Sequence, residues 1–290
     1  MTMNIHKSKI DWCSHTWNPV TGCRHDCPYC YARVMTDRFK PHAAEWPTDE
    51  TTVIAEEKSE GCFKAVRPTA LRDPAGNYLR STPYPKGFYP TLHTFTMDYP
   101  KKRLTPSRIF VSSMGDLFGD WVPDAWVKTV LDACAEAPQH VYMFLTKNPK
   151  RYIELAQSGI LPKDKNFWWG TSTPTEETEY FWADEYQTFI SIEPLLGPFT
   201  EHKALTRRPA DWVIVGAMTG AGARKQQPKR EWIQGIVDTC RHDGTPLFMK
   251  DSLLPIWEDP LVRQYPAGML THTGEEEAVC KRTCGGSQPE

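Results

Sequence analysis

The sequence predicts an α/β fold of six or seven parallel strands, arranged as a sheet or a (β/α) barrel. Three observations carry the prediction. Short β-branched or aromatic runs recur from residue 108 onward. Each is almost continuously apolar and ends in polar or glycine residues, which is how a parallel strand buried on both faces reads. The segments between the runs look helical, and repeated β-α units imply a parallel sheet or barrel with functional groups at the carboxyl ends of the strands.

Taken in order, the first strand is HTWNPVTG (15–22), and YARVMTDRF after it reads as a helix. Residues 40–107 break the rhythm, with nine prolines between 41 and 106 and an aromatic stretch, YPKGFYPTLHTFTMDYP. A segment this long without clear periodicity is either a functional lid or an irregular surface insertion. Six further strands follow: RIFVSSM (108–114), HVYMFLTK (140–147), NFWWGTS (166–172), TFISIEPL (188–195), DWVIVGAM (211–218) and PLFMKDSL (246–253). Over 123–135, Trp126, Val127, Val130, Leu131 and Cys134 form one stripe, and Pro123 suits a first-turn position. Over 229–242, Trp232, Ile233, Ile236, Val237 and Cys240 repeat that spacing, and Gly244 ends the helix. Residues 1–273 read as one domain and 274–290 as a tail.

Composition narrows the class. The chain has 290 residues, 34 Lys and Arg against 36 Asp and Glu. Four of the acids lie in the tail, so the body is neutral, and a uniformly basic nucleic-acid coat is excluded. A hydrophobic content of 40% and a charged content of 24% exclude a mainly disordered chain. No apolar run approaches the ~18 residues of a membrane span, and the start, MTMNIHKSKIDWC, lacks a signal-peptide core. The expected location is the cytoplasm, without membrane contact.

Nine cysteines in a cytosolic chain need a reason, since thiols there stay reduced. Three lie within eight residues, in Cys23-Arg-His-Asp-Cys27-Pro-Tyr-Cys30, directly after a strand and before a helix. Three thiolates cannot close a tetrahedral zinc site or a four-iron cluster, each of which takes four ligands. The open corner is available to bind something else. A zinc knuckle using His25, or three unrelated thiols, are the alternatives. Cys280 and Cys284 in the tail, with Cys62 or Cys13, read either as ligands of an auxiliary cluster or zinc or as free thiols; two thiols alone are too few for a metal, which favours free thiols. Cys134 and Cys240 sit on apolar stripes and read as core.

The triplet, with aromatic Tyr29 just before the last cysteine, resembles the radical S-adenosylmethionine (SAM) superfamily, whose signature is C-x3-C-x2-C. That resemblance implies a partial (β/α) barrel on which Cys23, Cys27 and Cys30 hold a [4Fe–4S] cluster. The open iron would chelate SAM, and one electron would cleave SAM to methionine and a 5′-deoxyadenosyl radical that abstracts hydrogen. An external electron donor such as flavodoxin or ferredoxin is implied too. The superfamily's GGE-type element after the second strand is replaced by Ser112-Ser113-Met114-Gly115-Asp116, which makes Ser113 and Asp116 the candidates for SAM's amino group. Thr171 and Ser172 end the fourth strand, where a ribose-binding residue is usual, and Glu193 ends the fifth. The ordered motifs WNPVTGC, SSMGDLF, FLTKNPKR, WWGTS, SIEPLLG, DWVIVGAMTG and PLFMK further resemble a phage-associated radical-SAM-like family of formerly unknown function. Two departures stand out. The family's Gly-Gly-Glu-Ser-Gly is Gly216-Ala217-Met218-Thr219-Gly220 here, and its Lys-Gln-Trp-Gly is Lys250-Asp251-Ser252-Leu253.

VGAMTGAGARK follows a strand, so Gly216 lets backbone approach a ligand closely or merely turns the chain. Lys101-Lys102-Arg103, Arg207-Arg208 and Arg224-Lys225 with Lys229-Arg230 are short basic clusters that suit either a solvated loop or a nucleotide phosphate. Because phages alter their DNA to evade nucleases, the resemblance implies a nucleobase, nucleotide or DNA substrate, with a thymine-derived base foremost. Absence of another oxidant motif favours isomerase or lyase chemistry; the alternatives are radical modification of a peptide and a non-enzymatic binding protein stabilised by zinc or an iron–sulfur cluster.

Overall fold

The computed structural model describes residues 5–42, 46–47, 53–55, 61–199, 205, 210–220 and 222–271. Its centre is an eight-stranded sheet. In spatial order the strands are β1 (His6–Lys7), β2 (His15–Trp17), β10 (Arg108–Val111), β11 (Val141–Thr146), β12 (Phe167–Ser172), β13 (Gln187–Ile192), β14 (Trp212–Val215) and β15 (Leu247–Met249). All seven expected strands are present and parallel, each beside its predecessor in that order. Strand β1 was not foreseen; it pairs antiparallel with β2 and caps that edge. The end strands β1 and β15 are not paired to each other, so the sheet is open rather than a closed barrel.

Alternation splits the sheet's side chains into two cores. Trp17, Ile109, Val111, Tyr142, Phe144 and Trp169 face one way, packed on α3 (Asp124–Ala135) through Trp126, Val127, Val130, Leu131 and Cys134. The rings of Phe144 and Trp169 stack at 4.9 Å. Trp12, Phe110, Met143, Trp168, Phe189 and Trp212 fill the other face. Each such buried ring removes roughly 150–250 Å² from water, so these aromatics dominate the core's stability. Helix α5 (Arg230–Asp243) buries Ile233, Ile236, Val237 and Cys240 and ends at Gly244, as the stripe predicts.

Four local expectations change. Only His15–Trp17 of the 15–22 run joins the main sheet, because Pro19 offers no N–H; β3 (Val20–Thr21) pairs instead with β9 (Thr91–His93). Residues 173–186, between β12 and β13, form no helix. Pro123 precedes α3 as its cap instead of entering the first turn. The insertion is not irregular throughout. It follows α1 (Tyr31–Phe39) and contributes β5 (Val53–Ala55), β6 (Phe63–Ala65) and β9 to one small sheet. A second sheet comprises β4 (Trp46–Pro47), β7 (Thr69–Arg72) and β8 (Tyr78–Thr82). These strands of two to five residues, spaced by prolines, are too short to leave a readable period.

Candidate functional site

The cysteine loop leaves β3 through Gly22, whose φ is +86°. A Cβ there would stand 2.3 Å from the Tyr89 carbonyl oxygen, so only glycine fits. Gly22 N–H donates to the Met114 carbonyl at 2.9 Å, and Cys23 N–H to Phe88 at 3.2 Å, which fastens the loop to its neighbours on both sides. Cys30 caps α1, and its sulfur accepts the Arg33 N–H at 3.4 Å. Cys23, Cys27 and Cys30 are half-buried, whereas Cys13, Cys62, Cys134 and Cys240 are buried. Burial pushes the Cys23 thiol up to about 12; it also raises Cys27, against the opposing pull of the Lys147 ammonium. Thiols so placed keep their protons until a cation displaces them.

All three cysteines open on one cavity of about 350 Å³ at the carboxyl ends of the strands. Trp12, Phe110 and Leu145 give it an apolar wall. Five residues picked from the sequence share it with the cysteines: Tyr29, Ser113, Asp116, Ser172 and Glu193. Ser113 Oγ donates to Asn18 Oδ1 at 3.1 Å, and its carbonyl accepts the Tyr31 hydroxyl at 2.5 Å. Asp116 is buried and accepts from His25 Nε2 at 2.8 Å, Thr146 Oγ1 at 3.0 Å, and the N–H groups of Lys147 at 3.1 Å and Phe118 at 2.9 Å. Its carboxylate therefore ties the cysteine loop to β11. Glu193 forms an ion pair with Lys250 across the mouth.

Two selected residues stand outside the cavity wall. Thr171 lies on the opposite face from Ser172, because side chains alternate along a strand, and its hydroxyl accepts the Phe181 N–H at 3.1 Å. Gly216 backs the wall: a Cβ there would come within 3.0 Å of the Lys250 side chain and 3.4 Å of the Glu193 carboxyl carbon. Glycine thus leaves room for that ion pair, while Ala217, Met218 and Thr219 continue into the wall.

The preceding Ser112 has a φ of +60°, a strained conformation for a residue with a Cβ, and its buried hydroxyl has no hydrogen-bond partner. Ser112→Gly relieves about 1–2 kcal/mol of strain and loses about 0.5–1 kcal/mol to unfolded-state entropy. Its thermal unfolding is expected to match the wild type or lie a few degrees above it. A fall of several degrees would show that the serine side chain holds the turn.

Residues 7–254 match the family model described as "Protein of unknown function (DUF5131)". The chain belongs to the DUF5131 family. No curated protein matches it. Among solved structures, spore photoproduct lyase complexed with dinucleoside spore photoproduct is similar at a TM-score of 0.42 and 11% identity, over 82% of this chain and 64% of that one. A cysteine-to-serine mutant of spore photoproduct lyase gives 0.45 and 12%, over 86% and 79%.

In this DUF5131 protein several site residues escape a sequence reading. Lys147 Nζ donates to Ser172 Oγ at 2.7 Å and approaches Tyr29 Oη at 3.4 Å. Lys147 and Lys250 each directly follow a parallel strand, in FLTK and FMK, and that shared position is the available signal. Ser191 also lines the cavity, and Asn18 accepts the Met114 N–H at 2.9 Å besides Ser113. His25 is engaged by Asp116, and among the described residues no three His, Cys, Asp or Glu side chains converge on a point that one metal ion would occupy. A single zinc needs its thiolates about 2.3 Å from one centre. Thiols of a polynuclear cluster each reach a different metal atom, and Cys23, Cys27 and Cys30 all line the one cavity in which such a group would sit.

Outside the cavity, Cys13 Sγ turns to Ser8 Oγ and Cys62 Sγ to the Trp121 carbonyl. Cys280, Cys284, Arg207 and Arg208 lie outside the described residues. The Lys101–Arg103 cluster sits before β10, at the amino ends of the strands. There Lys101 pairs with Glu136, and Lys102 with Asp98. It is therefore remote from the cavity mouth. Lys229 and Arg230 pair with Glu231 and Asp259. Arg224 and Lys225 are exposed on a short turn.

Proposed function

We propose that this protein is a radical SAM enzyme on a partial (β/α) barrel, with Cys23, Cys27 and Cys30 as ligands of a [4Fe–4S] cluster. One observation carries the reading. Three accessible, unpaired cysteines spaced C-x3-C-x2-C occupy the loop between the first parallel strand and its helix, and all three open on a cavity walled by the ends of the other strands. When bound, the cluster and SAM supply reductive cleavage of SAM to methionine and a 5′-deoxyadenosyl radical that takes hydrogen from substrate.

The chain's own residues bind, orient and exclude water. Ser113, Ser172 and the Glu193–Lys250 pair offer polar contacts for SAM, and Tyr29 stands beside Ser172 through Lys147. Ser113 is held for that role by Asn18. Trp12, Phe110, Leu145 and Met218 keep the wall apolar, which excludes water and stray solutes from the reaction. Thr171 and Gly216 support the wall from behind.

The substrate we propose is a nucleobase of thymidine type, free or in DNA, changed by rearrangement or a lyase step. The phage-type resemblance and an aromatic-rich site support this; stacking is worth ~1–3 kcal/mol per base and needs no basic coat. A base in duplex must be flipped out, so a nucleotide or single strand is the easier substrate. The target C–H must be held against SAM before cleavage. With deuterium-labelled nucleosides or oligonucleotides, label is expected to appear in 5′-deoxyadenosine. If every nucleic-acid substrate leaves SAM cleavage unchanged while a peptide stimulates it and transfers label, the substrate is a peptide.

A further inference from the structure

The cysteine loop has a second side. Alternating residues turn His25 and Cys27 toward the cavity and Arg24 and Asp26 toward a separate cleft of about 650 Å³. The cleft lies between α1 and residues 85–89 of the insertion. Cys23 and Phe88 belong to both walls.

The cleft is cationic and partly aromatic in a chain whose net charge is −2. Among the described residues, Arg24, Arg33, Lys40 and Lys86 line it with Asp26 and Asp37, two more cations than acids. The Arg33 guanidinium lies 4.9 Å from the Phe88 ring centre and 3.2 Å from Asp26. Lys40 pairs with Asp37 at 2.8 Å, and Lys86 stands over the Phe63 ring at 5.1 Å. Tyr89 at the rim is 59% exposed.

We infer that this cleft is the docking surface for an acidic one-electron carrier protein, an inference that rests on the cluster reading of Cys23, Cys27 and Cys30. The carrier loses one electron to the four-iron centre, and no bond is made or broken at the cleft. Two features favour a carrier over a nucleic acid. An electron needs only approach, and the walls of cleft and cavity share Cys23 and Phe88. A nucleic-acid strand held here would lie on the far side of the loop from the cavity that receives substrate. Positive charge steers an acidic partner to such a surface, and the attraction weakens with salt.

The test is the double variant Lys40→Glu with Lys86→Glu. It spares Arg24, which belongs to the cysteine loop, and Arg33, which pairs with Asp26 of that loop. The probe is a flavodoxin, an acidic flavin carrier, titrated calorimetrically onto anaerobically reconstituted protein at low salt. The variant is expected to bind it at least about tenfold more weakly and to lose the wild type's salt dependence. Flavodoxin-driven SAM cleavage should fall by a similar factor, while cleavage driven by dithionite, which needs no docking, should stay within about twofold of wild type. Unchanged flavodoxin affinity overturns the assignment. So does a variant that loses affinity for an oligonucleotide but not for flavodoxin, which would make the cleft a nucleic-acid surface. Wild-type protein that holds no iron and cleaves no SAM with dithionite overturns the cluster reading, and this inference falls with it.

Discussion

Cys27→Ala protein, reconstituted anaerobically with iron and sulfide, is expected to hold far fewer than the about four irons per chain of the wild type and to cleave no SAM above background. Cys27 is half-buried, and no hydrogen bond from its thiol supports the loop among the described residues. The loop is held instead by Gly22, the Cys23 N–H and the His25–Asp116 pair. Its removal should therefore leave apo-protein stability within about 1 kcal/mol of wild type. Cys134→Ala makes the contrast. That thiol is fully buried on the α3 stripe, where burial raises it far above the ordinary thiol range. Its loss should destabilise the core by on the order of 1 kcal/mol and leave iron content unchanged. Wild-type protein purified with zinc and no iron, or full SAM cleavage by Cys27→Ala, would sink the radical reading.

The strands were legible because parallel strands covered on both faces read as continuous apolar runs, and every such run from Arg108 onward became one. The same property hid which strand-end residues point into the cavity. With no polar face to mark the alternation, Thr171 and Ser172 look equivalent in sequence, yet only Ser172 reaches the cavity. Lys147 and Lys250 stand in the motifs FLTKNPKR and PLFMK, but nothing in those motifs marks their side chains as facing the cavity. Cysteine spacing was legible because it is local. The partners that fix the loop were not, since His25 and Asp116 stand 91 residues apart, and Tyr89, which makes Gly22 obligatory, lies in the insertion. For Gly216 the sequence leaves a ligand contact and a plain turn open, and it carries no sign of the Glu193–Lys250 pair that a Cβ there would crowd.

Asp116→Ala is expected to be the most destabilising change at the site. Position after the second strand made this residue a candidate for SAM's amino group. Its surroundings give it a structural task as well. The carboxylate is only 4% exposed and takes four donors, two of them the main-chain N–H groups of Phe118 and Lys147. Alanine leaves those donors buried without an acceptor, at about 1–3 kcal/mol each. His25 loses its tie as well, although its ring still stands edge-on to Trp121 at 4.9 Å. The sum is about 3–5 kcal/mol, which lowers the unfolding temperature by roughly 6–15 °C for a chain of this size. Asp116→Asn keeps the shape and one acceptor oxygen but turns an amide N–H₂ toward the remaining donors, so it should recover only part of the loss. The loop released from Asp116 still has its three cysteines, so iron content in Asp116→Ala should fall without any ligand being removed. A variant as stable as wild type and fully loaded with iron, but weak in SAM affinity, would show instead that Asp116 acts as a direct SAM contact.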